Sequence, residues 1–448
     1  MTKSNPSRPK NTASVLIGLW IGLTVLAGLG MLSLLWALWA FGGFNAAPAA
    51  TSSMPPTVPV IVATSTGADG LTPLPTSTAK GACQYPDPPA SGFGYGIQSH
   101  VFGGGDLNHF LAGVKELGLG WLKIQVRWAD MEPNRDAIDW HILDSAMKIS
   151  CDLGLHVLLS VEVAPAWTHA QPLSADGNAP PDNYQLYTDF LGQLIDRYPG
   201  KLGAIEIWNE ENLVREWNTP AGISPDDFVK LLQMSYTTIK GKDPSILVIS
   251  GALAPTGINC NGTFPDCKGG RTIIMDDATY LTKMVQAGAL QYTDCIGTHS
   301  NGTNLPPTAD GANPPADSSA YKYKGPWQNP HYSWALKSQV ETYAKILNGQ
   351  KLQCVTEFGY ASPVDGKYPP NFGFAQDVSE QQQADYLVQA FNWMRDSKLV
   401  KLAFLFNLDY GPLGLGDPTK DDNMLFSLLD PQGAPRPAFG AIKAMPKP

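Results

Sequence analysis

Along the chain the apolar positions fall into three regimes. From Val15 to Phe41 they form an almost unbroken run of 27 residues without a charge. Over residues 45–82 the run gives way to Pro, Thr, Ser and Ala with no amphipathic period. From about Cys83 onward, short β-branched or apolar runs alternate with longer helical patterns. The short runs lie at 92–98, 121–128, 156–163 and 204–210, then at 246–252, 295–301, 353–359 and 401–408. Eight strands, each followed by a helical pattern, predict an α/β fold of the (β/α)8 TIM-barrel type over residues 83–448. A doubly wound open sheet is the rival, but the first strand is not followed by a good G-x-G-x-x-G turn. Helix starts are marked as well. Ser224-Pro225-Asp226-Asp227 supplies a cap, a proline at the first helical position and first-turn acids, and Ser379-Glu380-Gln381-Gln382 reads as a capping box.

The first regime is long enough to span a membrane. As a helix, Val15–Phe41 reaches roughly 40 Å, against about 30 Å of hydrocarbon. Lys3, Arg8 and Lys10 precede it, and no Lys or Arg follows until Lys80. The positive-inside rule then places residues 1–14 in the cytoplasm, 15–44 as a single-pass signal-anchor and the rest outside the cell. Trp36, Trp39 and Phe41 suit the outer headgroup zone. A cleaved signal peptide would carry an apolar core of only about 7–15 residues. The second regime cannot bury enough apolar surface to fold and reads as a semi-extended tether.

Charge narrows the partners. The formal net charge is −9, and the folded part holds no run of Lys or Arg, which argues against a nucleic-acid partner. Six cysteines follow the anchor and allow fifteen disulfide pairings. Cys260 and Cys267 bracket a short Asn/Gly/Pro loop. Cys295 and Cys354 fall at similar depths of neighbouring strands, and Cys83 with Cys151 is left by elimination. There is no C-x-x-C or His/Cys ligand spacing of the zinc-site kind.

In such barrels the chemistry sits at the C-terminal strand ends. The fourth strand ends in Asn209-Glu210 and the seventh carries Glu357 at its corresponding end. Two carboxyl groups facing each other over a barrel mouth can cleave a glycosidic bond, one protonating the leaving oxygen while the other attacks the anomeric carbon. Each glutamate on its own could equally be a salt-bridged loop residue.

Together, W-N-E at 208–210 and T-E-F-G at 356–359 resemble the clan A glycoside hydrolases, particularly families 39 and 5. W-A-D-M-E-P at 128–133, P-A-W at 165–167, D-x-I-G-x-H at 294–299 and D-P-Q-G-A-P-R-P-A-F at 430–439 extend the resemblance over most of residues 90–445. It implies a retaining double displacement on a β-linked glycan, with Glu210 as acid/base and Glu357 as nucleophile. It also implies that Asn209 bonds the sugar 2-hydroxyl and that no metal or organic cofactor takes part. The negative charge of Glu357 is expected to raise the pKa of Glu210.

The chain departs from that family at several positions. Glu211 stands where Pro is frequent, which leaves a one-residue slip with Glu211 as the acid as an alternative. Asn212 and Trp217 either line a subsite or brace the loop. Lys123 replaces the usual Arg on the second strand, where it or Arg127 supplies the cation beside Glu357. His299-Ser300-Asn301 lacks the Tyr of H-x-Y, so Tyr360 is the candidate to bond the nucleophile. The eighth strand reads Phe406-Asn407 where a platform Trp is common, with Asn407 as a polar candidate. Trp128, Trp167, Trp208 and Trp327 offer ring faces that either stack on sugar or fill the core. The segment from Gly302 to Tyr332 is long enough to form a lid or subsite wall.

The expected molecule is a monomeric catalytic barrel on a stalk at the cell surface, hydrolysing an oligo- or polysaccharide. Transglycosylation on the same barrel and non-catalytic glycan binding are the alternatives.

Overall fold

A computed structural model describes Cys83, Tyr85 and residues 89–171, 177–257, 272–302, 304–314, 330–414 and 416–448. The expected anchor 15–44, the tether 45–82, the Cys260–Cys267 staple, Trp327 and part of the 302–332 segment lie outside these residues. Among the described residues no helix is long and apolar enough to cross a membrane.

All eight expected strands form. They are β1 (Gly94–Gln98), β2 (Trp121–Arg127), β3 (His156–Glu162), β4 (Leu202–Ile207), β5 (Leu247–Ser250), β6 (Ile296–Gly302), β7 (Gln353–Tyr360) and β8 (Val400–Leu405). Helices follow in alternation: α1 (Leu107–Glu116), α2 (His141–Leu153), α3 (Tyr184–Arg197), α4 (Pro225–Lys242), α5 (Asp277–Gln286), α6 (Leu336–Leu347), α7 (Glu380–Ser397) and α8 (Pro437–Ala444). The strands pair in parallel in the order β5-β4-β3-β2-β1-β8-β7-β6. Parallel bridges Ile249–Cys295 and Leu253–Thr298 join the two ends and close the cylinder. The fold is a TIM barrel lying within one compact unit, Ser77–Pro448.

Local chemistry sets the helix starts. Ser224 caps α4 through the Asp227 amide with Pro225 in the first turn. Ser379 and Gln382 cap α7 reciprocally, satisfying donors that a helix end leaves orphaned. On β2 the alternation holds: Leu122, Ile124 and Val126 join the apolar layer beneath the helices, and Lys123 turns into the barrel.

The floor inside the barrel is Leu158, Ala204, Ile249, Cys295, Cys354, Leu402 and Phe404. Phe404 fits because β1 offers Gly96 opposite it; a Cβ there would lie 2.3 Å from the ring. Disulfides Cys295–Cys354 and Cys83–Cys151 are both present. The first links the starts of β6 and β7 within the floor, and the second ties the beginning of the barrel unit to α2.

Candidate active site

Glu357 reaches the cleft through a bulge. On β7, Cys354 faces the floor and Val355 faces the helices, so strict alternation would turn Thr356 inward and Glu357 outward. The register to β6 skips a residue between Val355 and Glu357, and both Thr356 and Glu357 point into the barrel. Thr356 Oγ1 donates to Glu206 Oε1 at 2.6 Å. Lys123 Nζ lies 2.9 Å from Glu357 Oε1 and 3.5 Å from Glu206 Oε2. Burial alone would lower the pKa of Lys123, but the charges of Glu357 and Glu206 outweigh it and keep the ammonium charged. Lys123, not Arg127, is therefore the cation beside Glu357.

Glu210 lies three residues beyond the end of β4. Trp208 at φ 72° and Glu210 at φ 44° both adopt left-handed backbone, costing on the order of 1–3 kcal/mol each. The Glu210 amide is held by Ala252 O at 2.9 Å. His299, fully buried on β6, joins the two carboxylates: its Nδ1 lies 3.1 Å from Glu210 Oε1 and 3.7 Å from Glu357 Oε2. The carboxylate oxygens can be no farther apart than those two distances laid end to end. Burial would lower His299, but the negative Glu357 and the hydrogen bond to Glu210 raise its pKa. The ring thus bridges the two carboxylates.

One electrostatic expectation is reversed. Glu210 Oε2 also accepts from Arg215 Nη2, a group that no motif or periodicity singles out. Burial pushes Glu210 up, but the Arg215 charge and the His299 hydrogen bond outweigh it, pulling the carboxyl to about 2. This is the opposite direction from the raised value expected of a general acid.

Asn209, the chain neighbour of Glu210, leaves its Oδ1 buried and without a hydrogen-bond partner. Asn301, at the position where the family pattern has Tyr, likewise leaves its Oδ1 unpartnered. Tyr360 does not reach Glu357. It sits three residues on along β7, on the opposite face, and packs against Tyr386 of α7. Trp128 is also withdrawn: it starts a short helical turn and stacks on Phe190, with Nε1 donating to Glu132. Asn407 closes the loop after β8, bonding Asn423 O and the Tyr410 amide, with no side-chain surface exposed.

Trp167 stays on the rim, half-buried, with Nε1 donating to Glu132 O. Arg127 lies at the mouth, bonded to Asp130 at 2.8 Å and near Glu162 at 3.9 Å. Trp208 and Trp217 brace the β4 loop against each other, and Asn212 pins that loop to Ala254 and Met275. Glu211 is buried with neither carboxyl oxygen bonded to another residue, so it is not the acid facing the cleft.

Sequence reasoning missed Glu206, Arg215 and the group of Ser99, His100 and Asp409. Ser99 Oγ donates to Asp409, and His100 Nδ1 lies 3.2 Å from the same carboxylate. His100 also meets Phe406, the ring at the platform position, edge-on at 6.0 Å. Glu206 was legible as an acid at an inward position of β4; Arg215 carried no pattern. Among the described residues no group of three or more His, Cys, Asp or Glu is placed to hold a metal.

No family model and no curated protein matches this sequence. Solved structures do match. A family 39 glycoside hydrolase from Bacteroides cellulosilyticus WH2 superposes at a TM-score of 0.55 with 16% identity, over 81% of this chain and 65% of that one. A GH39 β-xylosidase from Caulobacter crescentus gives 0.53 and 17%, over 81% and 72%. Xylanase 10B from Thermotoga maritima gives 0.50 and 15%, over 79% and 95%. The chain thus spans roughly two thirds of the length of the family 39 proteins. At these identities the likeness is one of fold, and it is the fold of the hydrolases that the W-N-E and T-E-F-G motifs resemble.

Proposed function

We propose that this chain is a retaining β-glycoside hydrolase, with Glu357 as nucleophile and Glu210 as acid/base. The observation that carries the reading is the meeting of both carboxylates on the single nitrogen His299 Nδ1, at 3.1 and 3.7 Å. That bound admits the separation of about 5–5.5 Å used for double displacement. Lys123 holds Glu357 as the anion that attacks the anomeric carbon. Glu210 gives its proton to the leaving oxygen, and the bond from the anomeric carbon to that oxygen breaks. The glycosyl ester removes the charge of Glu357, and Glu210 then takes a proton from water, which attacks and frees Glu357. Asn209 Oδ1 accepts from a sugar hydroxyl.

The chain acts outside the cell, held by residues 15–44 with residues 45–82 as the stalk. Two disulfides in the barrel unit support an oxidising compartment. The deciding experiment incubates the full chain with a panel of aryl β-glycosides, including xylosides, glucosides and galactosides. Turnover that disappears in Glu357→Ala, with net retention of anomeric configuration by NMR, is expected. Inversion, or equal turnover in the variant, would exclude this mechanism.

A further inference from the structure

Arg215 and Lys123 both hold a carboxylate of the pair, in opposite ways. Lys123 is completely buried, whereas the Arg215 side chain is 63% exposed and can be reached from solvent. The Glu210 carboxylate of this pair is almost wholly buried, so Arg215 can pass to another anion only as Glu210 takes up a proton. Arg215 is also not alone. Its Nε lies 3.5 Å from Glu216 Oε1, and Asp422, in the loop after β8, feels its charge. Arg127, 47% exposed on β2, stands close enough that Glu216 senses both guanidinium groups. The wall beside Glu210 therefore presents two accessible arginines. In a retaining barrel the acid/base side is where the leaving group sits.

We propose that Arg215, supported by Arg127, recognises a carboxylate on the leaving group, so that the substrate carries an acidic sugar such as a uronic acid on that side. The inference rests on the glycosidase reading above. Arg215 already binds a carboxylate, that of Glu210, and the planar guanidinium fork suits a like-for-like exchange. When the substrate's carboxylate takes Arg215, Glu210 loses one of the two partners that keep it ionised, and its affinity for the proton the reaction needs rises.

The other charged groups around Glu210 are compatible with this exchange. His299 on β6, Glu357 on β7, Lys123 on β2 and Glu211 and Glu216 on its own loop all remain in place. Burial pushes Glu162 to about 8 and Glu216 to about 7, so near neutral pH these acids only partly offset the arginines.

The test compares 4-carboxyphenyl, 4-carbamoylphenyl and 4-sulfophenyl β-glycosides of a glycone that the full chain turns over. A kcat/KM for the carboxylate roughly tenfold or more above the carboxamide is expected, a ratio typical of one charge-assisted pair. Arg215→Met should erase the ratio and Arg215→Lys keep part of it. On the neutral substrate, Arg215→Met should also move the basic limb of the pH profile upward, a change that loss of structure would not produce. A wild-type ratio near one, or a ratio unchanged in Arg215→Met, overturns the proposal and leaves the glycosidase reading standing. A sulfonate preferred over the carboxylate overturns the uronate assignment. If no glycoside is turned over, the glycosidase reading fails. Calorimetric binding of the carboxyphenyl and carbamoylphenyl glycosides to Glu357→Ala then tests the anion pocket separately, and equal affinities sink it.

Discussion

Lys123 Nζ lies 2.9 Å from Glu357 Oε1, and the lysine side chain has no exposure at all. A buried ammonium with two carboxylates in reach is not there for stability alone, since desolvating such charges costs several kcal/mol per ion. Its position fixes the orientation of the Glu357 carboxylate in the cleft. The second carboxylate, Glu206, anchored by Thr356, keeps Lys123 from drifting off Glu357.

Lys123→Met is accordingly expected to lower kcat/KM by roughly 10²-fold or more, as for loss of one preorganised charge contact. The variant should also lose about 3–5 kcal/mol of stability, because Glu206 and Glu357 are left buried and uncompensated. Urea unfolding and steady-state kinetics check both. An unchanged kcat/KM in a folded variant contradicts the role given to Lys123.

Removal of the acid has a different signature. Glu210→Ala should depress hydrolysis of alkyl and poor aryl leaving groups far more than of 2,4-dinitrophenyl glycosides, which depart without a proton. Azide should restore activity on the activated substrates by occupying the vacated space and attacking the glycosyl-enzyme. Equal losses across leaving groups would show that Glu210 serves structure only.

How much of this was legible in the sequence follows from how local each signal is. Strand positions and the caps at Ser224 and Ser379 depend on neighbouring residues, and all of them form where expected. Asn209 and Glu210 were found by motif. The inward turn of Glu357 was not written in the period-two pattern, because a bulge at Thr356 reverses the alternation. The same change of face removes Tyr360 from the cleft, and Trp128 is lost to the helix layer just past the end of β2. Arg215 sits in an irregular loop where no periodicity predicts direction, and its hold on Glu210 arises only from the three-dimensional path of that loop.

The two disulfides in the barrel unit should differ in accessibility. Cys295 and Cys354 are wholly buried in the floor, while Cys151 is only half-buried on α2. A mild reductant under native conditions should open Cys83–Cys151 first, leaving Cys295–Cys354 until the barrel unfolds. Their loops of 68 and 59 residues predict similar entropic contributions, about 4 kcal/mol each in the chain-entropy account. Mass spectrometry of alkylated peptides orders the two events. Release of the Cys295–Cys354 thiols before any loss of tertiary signal would contradict the placement of that bridge in the floor.

Glu211 provides a test that is independent of catalysis. Burial, reinforced by the charges of Glu206 and Glu210, raises its pKa well above the carboxylate range, despite a lowering contact with its own backbone amide. In the unfolded chain the same group ionises at its ordinary value. Above that value the unfolded state releases a proton that the folded state retains, so stability is lost as pH rises toward the folded pKa. Glu211→Met removes a buried acid whose oxygens have no partner on another residue and fills similar volume with apolar atoms. The variant should therefore gain on the wild type as pH rises from 4 to 8, by up to about 1.4 kcal/mol per pH unit. Glu162, Glu216 and Asp277, also raised by burial, act in both proteins and cancel in the difference. Urea unfolding at several pH values measures that difference directly, and parallel stability curves across the range would place the Glu211 carboxyl in contact with water.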